Sequence, residues 1–263
     1  MIAGVAVKSC CADLYASDWA RLVLGESLHP GGAPLTKRLG QLMKLGPGMR
    51  VLDVAAGRGF SALHVAREFG CRVLGIDYGA VNVAAAALEA RAAGLDGRVA
   101  FAGGDAERLP CADGRFDAVM CECAFCTFPD KTAAAAELAR VLRPGAVLGL
   151  ADLVRRGRLP RDMDDLLAWI ACIADARPPA EYAGQLTVAG FEVTALEDHD
   201  QALADLVGDM RLRLMGAQVA AHLSGVELPG AELARARELA RAAERAIADG
   251  SLGYVLIVAR KPY

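Results

Sequence analysis

A chain of 263 residues with 54% apolar side chains can bury one large core, so a single domain carrying an insertion is expected rather than two independent domains. The net charge of -3, with acidic and basic residues scattered along the chain, leaves no basic stripe for a phosphate backbone and excludes nucleic acid as the expected partner. No segment reaches the roughly 18 apolar residues that a membrane span needs. A cytoplasmic protein acting on small molecules is expected, with its cysteines kept as thiols.

In chain order, amphipathic stretches near 12–25 and 34–45 come first. "MRVLDVAAGRG" is then a short β-rich run that breaks into glycines before the helical pattern "FSALHVAREFG". The alternation continues with "CRVLGID" as a strand, 80–93 as a helix closed by Gly94, "RVAFAGGD" and "FDAVMCECA" as strands, and 130–142 as a helix ended by "RPG". "AVLGLADLV" reads as a strand, 162–176 and 179–189 as helices, and "FEVTALED" as a strand. Residues 200–250 read as helical throughout, before "LGYVLIVARK" supplies a last strand. Strands alternating with helices imply a mostly parallel α/β sheet covered on both faces. The division expected is 1–45 as an N-terminal helical lid, 46–199 plus 251–263 as the core, and 200–250 as a helical insertion before the last strand. That insertion could cap a cleft or form the face of a homodimer.

Small residues in "DVAAGRG", Asp53 to Gly59, let a ligand approach the backbone, and the following helix offers free N–H groups to an anionic group. Asp77 ends the second strand, where it can accept hydrogen bonds from ribose hydroxyls. Asp105 ends the third strand at a place suited to an adenine amino group. All fall at carboxyl ends of strands, where open α/β sheets bind ligands.

"VLDVAAGRG", "VLGIDYG", "GDAERLPCADGRFDAV" and "ELARVLRPGAVLGLAD" together resemble, in order and spacing, the successive motifs of class I S-adenosylmethionine-dependent methyltransferases. The resemblance implies a Rossmann-like, seven-stranded fold with S-adenosylmethionine as cofactor. It places Gly57 and Gly59 under the methionyl part, Asp77 on the ribose, and Asp105 and Ala106 beside the adenine. It also places Asp53 at the amino-acid end, with Tyr78 and Glu122 among the cofactor-binding residues. The third glycine of the dehydrogenase fingerprint is missing from "GRGFSA".

"CECAFCTFPDK" puts Cys121, Cys123 and Cys126 within six positions, with Cys121 and Cys123 expected on one side of a strand. Three readings stand: small buried hydrophobes, a zinc or iron–sulfur site, or a site for a thiophilic substrate. "CAFCTFPDK", with Cys123 six residues before Pro129, and "ACIADA", with Cys172 forty-nine residues after Cys123, resemble the arsenite methyltransferase branch. That resemblance implies methyl transfer to a trivalent arsenical held by Cys123 and Cys172. A third thiolate would come from Cys10, Cys11, Cys126 or glutathione, and a cellular thiol reductant would reopen any disulfide. The alternatives are an organic acceptor, methylated on oxygen, nitrogen or carbon, and a non-catalytic metalloid-binding protein. No general base is evident. His29 in "LHPGG" reads as a turn residue, with a polar contact to the site as its other reading. Tyr15 and Trp19, four apart, are expected to share a helical face and to pack on the core, with packing over a cationic sulfonium as their other reading.

Overall fold

The computed structural model describes residues 4–159, 173, 175–224 and 230–263. Its strands are β1 (Arg50–Val54), β2 (Arg72–Asp77), β3 (Val99–Gly103), β4 (Phe116–Glu122), β5 (Leu142–Arg155), β6 (Glu192–Asp198) and β7 (Leu252–Arg260). They form a seven-stranded sheet in the order β3-β2-β1-β4-β5-β7-β6. The first five strands run parallel, and β7 lies antiparallel between β5 and β6. The mostly parallel α/β architecture expected from the alternation is present.

Consecutive residues of β1 and β4 are buried, so both faces of the central sheet are covered. β7 is buried along "LGYVLIVA", whereas β6 alternates between exposed and half-buried positions. A continuous apolar run belongs between two neighbours, and a strand with one wet face belongs at an edge. This contrast explains why the last strand in sequence sits inside the sheet. Leu52, Ile76, Met120, Leu138, Leu148 and Tyr254 are among the fully buried side chains of the core, each apolar one worth about 1.5–3 kcal/mol relative to exposure.

The helices are α1 (Gly4–Ala16), α2 (Asp18–Leu24), α3 (Gly32–Leu42), α4 (Phe60–Phe69), α5 (Ala80–Ala92), α6 (Lys131–Val141), α7 (Pro179–Val188), α8 (Asp200–Ser224) and α9 (Gly230–Ala248). The expected amphipathic stretch 12–25 is broken in two at Ser17. Its hydroxyl accepts from the Ala20 N–H at 3.1 Å and donates to the Leu14 carbonyl at 2.6 Å, so it caps α2 and turns the chain. Tyr15 and Trp19 therefore stand on different helices and share no face. Trp19 packs with Val23, Leu214 and Leu233, while Tyr15 faces the cleft described below.

β5 begins at Leu142, directly after α6, and its register with β4 shifts between Phe116 and Ala118, which lengthens it beyond "AVLGLADLV". Most of the helix expected over 162–176 lies outside the described residues. At its end, Ala176 donates its N–H back to the Ile173 carbonyl, Arg177 bridges to Val154, and Lys131 forms a buried ion pair with Asp175. α8 and α9 lie between β6 and β7 along the chain. Among the described residues no helix is long and apolar enough to cross a membrane.

Candidate active site

Spatial order reverses between β1 and β4, and the carboxyl ends of the strands on either side of that point open a cleft. Counting the space open to solvent, it encloses about 1120 Å³. Asp53, Asp77, Asp105 and Glu122 reach it from the ends of β1, β2, β3 and β4 respectively. α1 lies across it with Lys8, Cys11, Ala12 and Tyr15 on the wall.

The two loop glycines do different work. Gly57 has φ +53, and a Cβ built on it would meet nothing within 4 Å, so this backbone faces open space in the cleft. Gly59 has φ +86 and is not on the wall; a Cβ there would sit 2.5 Å from the Phe101 ring and 3.1 Å from Ala86. Its small size lets α4 approach β3 and α5. Gly57 thus borders the cleft, and Gly59 stands behind it.

Asp77 fixes the loop in place. Its carboxylate accepts from the Gly57 N–H at 2.7 Å, the Gly79 N–H at 2.8 Å and the Asn82 amide at 3.1 Å. Tyr78 stands half-exposed at the rim. Asp105 accepts from the Glu107 N–H and is bridged by Lys8, which also pairs with Glu107. Ala106 lines the wall next to it.

Asp53 is almost fully buried, and its Oδ2 has no hydrogen-bond partner in the protein. Burial, reinforced by the nearby charges of Glu122 and Asp77, pushes its carboxyl well above the ordinary range, against a smaller opposing pull from the Ala62 N–H. A buried acceptor without a donor is costly. A cationic group entering the cleft would supply what Asp53 lacks. The acidic ends of β2 and β3 add acceptors for sugar hydroxyls and an amino group. The donor set therefore fits a molecule that combines an ammonium, a ribose and an adenine.

A second polar cluster stands on the same wall: the sequence offered a polar contact at His29 only as its other reading and did not join it to Thr36, Ser61 and Glu122. His29, on the loop before α3, is 5% exposed and reaches the cleft. Its Nδ1 lies 3.0 Å from the Pro30 carbonyl oxygen, and its Nε2 lies 3.4 Å from Ser61 Oγ, 3.5 Å from Thr36 Oγ1 and 3.9 Å from Glu122 Oε2. Thr36 donates its hydroxyl to Glu122 at 3.0 Å. Phe60 meets the imidazole edge-on at a centroid distance of 5.8 Å. The local signal was faint: a histidine and a threonine seven positions apart at the entry to a helix, with their carboxylate partner on a distant strand.

The cysteines separate. β4 ends at Glu122, so the strand alternation expected to align Cys121 with Cys123 stops between them. Cys123 takes φ +54, donates its N–H to the Ala151 carbonyl at 2.6 Å and lines the cleft. Cys121 and Cys126 are fully buried in the core, and the Cys126 N–H donates to Asp152. Cys11 lines the cleft, whereas Cys10 is exposed and off the wall. Cys172 lies outside the described residues. Among the described residues, no three His, Cys, Asp or Glu side chains gather as a metal site.

Comparison with known proteins fits this geometry. A family model described as a methyltransferase domain matches residues 51–145. The chain is 31% identical to the 27-O-demethylrifamycin SV methyltransferase of Amycolatopsis mediterranei over 95% of its own length and 94% of that protein. It is 32% identical to methyltransferase GfsG of Streptomyces halstedii over 66% of its length, spanning 63% of that relative. An arsenite methyltransferase of Halobacterium salinarum is 30% identical over 60% of this chain and 41% of the relative. Among solved structures, the [4+2]-cyclase SpnF superposes with a TM-score of 0.75 at 27% identity over 95% of both chains. A Haemonchus contortus phosphoethanolamine N-methyltransferase in complex with S-adenosyl-L-methionine superposes at 0.77 with 21% identity, covering 96% of this chain and 57% of that one. With a methyltransferase relative matched end to end and a cleft whose acceptors suit the methyl donor, the chain belongs to the S-adenosylmethionine-dependent methyltransferases.

Proposed function

We propose that this enzyme methylates a small organic acceptor. The observation that carries the reading is the composition of one continuous wall. Carboxylates at the ends of β1, β2 and β3 meet an apolar surface made by Leu28, Phe60, Ala124 and Phe128, the mixture typical of small-molecule sites. Asp77 would hold the ribose, Asp105, Ala106 and Tyr78 would border the adenine, and Asp53 with Gly57 would receive the amino-acid end. When bound, S-adenosylmethionine supplies a methyl group made electrophilic by its sulfonium sulfur. The chain's own contribution is to position the acceptor against that carbon and to exclude water, which α1 and the apolar wall favour. The relative matched end to end is named for an O-demethylated organic acceptor, which supports the same reading.

A second reading, a thiol-bound trivalent arsenical, is favoured by one observation: Cys11 and Cys123 line the same cleft. Under it Cys123 would act with Cys172, and a cellular thiol would serve as reductant. Incubating the protein with methyl donor and either a panel of phenols and hydroquinones or arsenite plus glutathione, followed by mass spectrometry, separates the two. Methylated phenols are expected. Methylated arsenic with no methylated phenol would replace the organic acceptor by the metalloid.

A further inference from the structure

We propose that His29 is the base that takes the proton from a hydroxyl acceptor, and that Glu122 holds the imidazolium so formed. This rests on the organic-acceptor reading and narrows it to an oxygen nucleophile.

The tautomer follows from the contacts. The Pro30 carbonyl oxygen can only accept, so the hydrogen between it and His29 Nδ1, at 3.0 Å, belongs to Nδ1. In a neutral imidazole the lone pair is then on Nε2, the atom aimed at Ser61, Thr36 and Glu122. Thr36 has one hydroxyl proton, and at 3.0 Å it goes to Glu122, so the neighbour left to donate to Nε2 is the Ser61 hydroxyl at 3.4 Å, a long contact that an incoming acceptor hydroxyl would replace. The edge-on Phe60 ring and the Pro30 bond together hold the ring orientation.

The surroundings also suit the charged product. Glu122 reaches the cluster from β4, and its carboxylate is 3% exposed with Thr36 as a donor. A carboxylate that deep gains from a nearby cation, and an imidazolium 3.9 Å away would provide one. Four charged or acidic groups on the wall already have other partners or surroundings. Asp77 and Asp105 accept hydrogen bonds, Lys8 is an ammonium in an ion pair, and Asp53 faces Glu122 and Asp77 as a buried carboxyl. Among the described residues His29 is the one imidazole on the wall.

The transfer balances as follows. The acceptor O–H bond breaks, its proton passing to His29 Nε2, while an oxygen lone pair forms the new bond to the methyl carbon. The carbon–sulfur bond breaks with its electron pair left on sulfur, and the proton on His29 later leaves to water.

The test pairs a spectroscopic readout with kinetics on the full chain. In long-range proton–nitrogen spectra of ring-labelled protein, assigned with His29→Gln, a protonated Nδ1 and an unprotonated Nε2 are expected for His29. His29→Gln should bind S-adenosylhomocysteine within threefold of wild type. It should methylate phenols at least about 100-fold more slowly, the usual scale of general-base assistance, with a larger loss for less acidic phenols. The opposite tautomer, or a His29→Gln rate within threefold of wild type on phenols that wild type methylates, overturns the base assignment alone. Wild type that methylates arsenite but no phenol removes the organic-acceptor reading and this assignment with it.

Discussion

The Lys8 ammonium lies 2.8 Å from one carboxylate oxygen of Asp105 and 3.0 Å from the other, fastening the first helix to the end of β3. α1 thereby crosses the adenine end of the proposed cofactor site. Lys8→Ala should leave thermal stability nearly unchanged, because a partly exposed ion pair is worth at most about 1 kcal/mol. It should speed S-adenosylhomocysteine release about 3–10-fold, and it should abolish the salt dependence of that release expected in wild type. Stopped-flow displacement at two ionic strengths measures both effects. Equal release rates in the two proteins would mean that α1 does not hold the ligand.

Asp77 gathers two backbone N–H groups and one side-chain amide. Removing it leaves those donors unmet and takes away the proposed ribose acceptor. Asp77→Ala should weaken S-adenosylhomocysteine binding by about 1–3 kcal/mol. Asp77→Asn should also lose affinity, because its amide turns a donor toward the N–H of Gly57 or Gly79. Calorimetry at constant pH reads both variants; unchanged affinity would displace the ribose from this strand end.

Asp53 links both folding and ligand binding to protons. Its carboxyl is raised in the folded protein by burial and by Glu122 and Asp77. Between the ordinary carboxylate range and that raised value, the folded state binds more protons than the unfolded state. The ligand-free protein is therefore favoured below this window, and that contribution is lost as pH rises through it. An ammonium beside Asp53 favours ionisation, so S-adenosylhomocysteine binding should release a proton within the window. Calorimetry in buffers of different ionisation enthalpy should show this release in wild type and its absence in Asp53→Asn.

Ala55 adopts φ +60 in the loop after β1, a conformation that costs a non-glycine residue about 1–2 kcal/mol. Glycine removes that cost but loses more freedom on folding, by roughly 0.5–1 kcal/mol. Ala55→Gly should therefore stabilise the protein by about 0.5–1 kcal/mol in denaturant unfolding. A destabilised variant would show that the Ala55 methyl makes packing contacts that outweigh its strain.

The amino-acid sequence by itself determined the alternation of strands and helices, the glycine loop, and the placing of Asp53, Asp77 and Asp105 at strand ends. These are local properties: side-chain periodicity, turn propensity and a carboxylate at the end of an apolar run are written within about ten residues. Only the tertiary structure decided that β7 enters between β5 and β6: its unbroken apolar run calls for a neighbour on each side but does not say which strands those are until the sheet closes. It also decided that Cys121 and Cys126 pack in the core while Cys123 turns to the cleft, since a backbone reversal after Glu122 ends the strand alternation. Lys8 with Asp105, and His29 with Glu122, join segments far apart along the chain. Such pairs carry no periodic signature, because what brings them together is the burial of the apolar faces on the helices and strands that bear them.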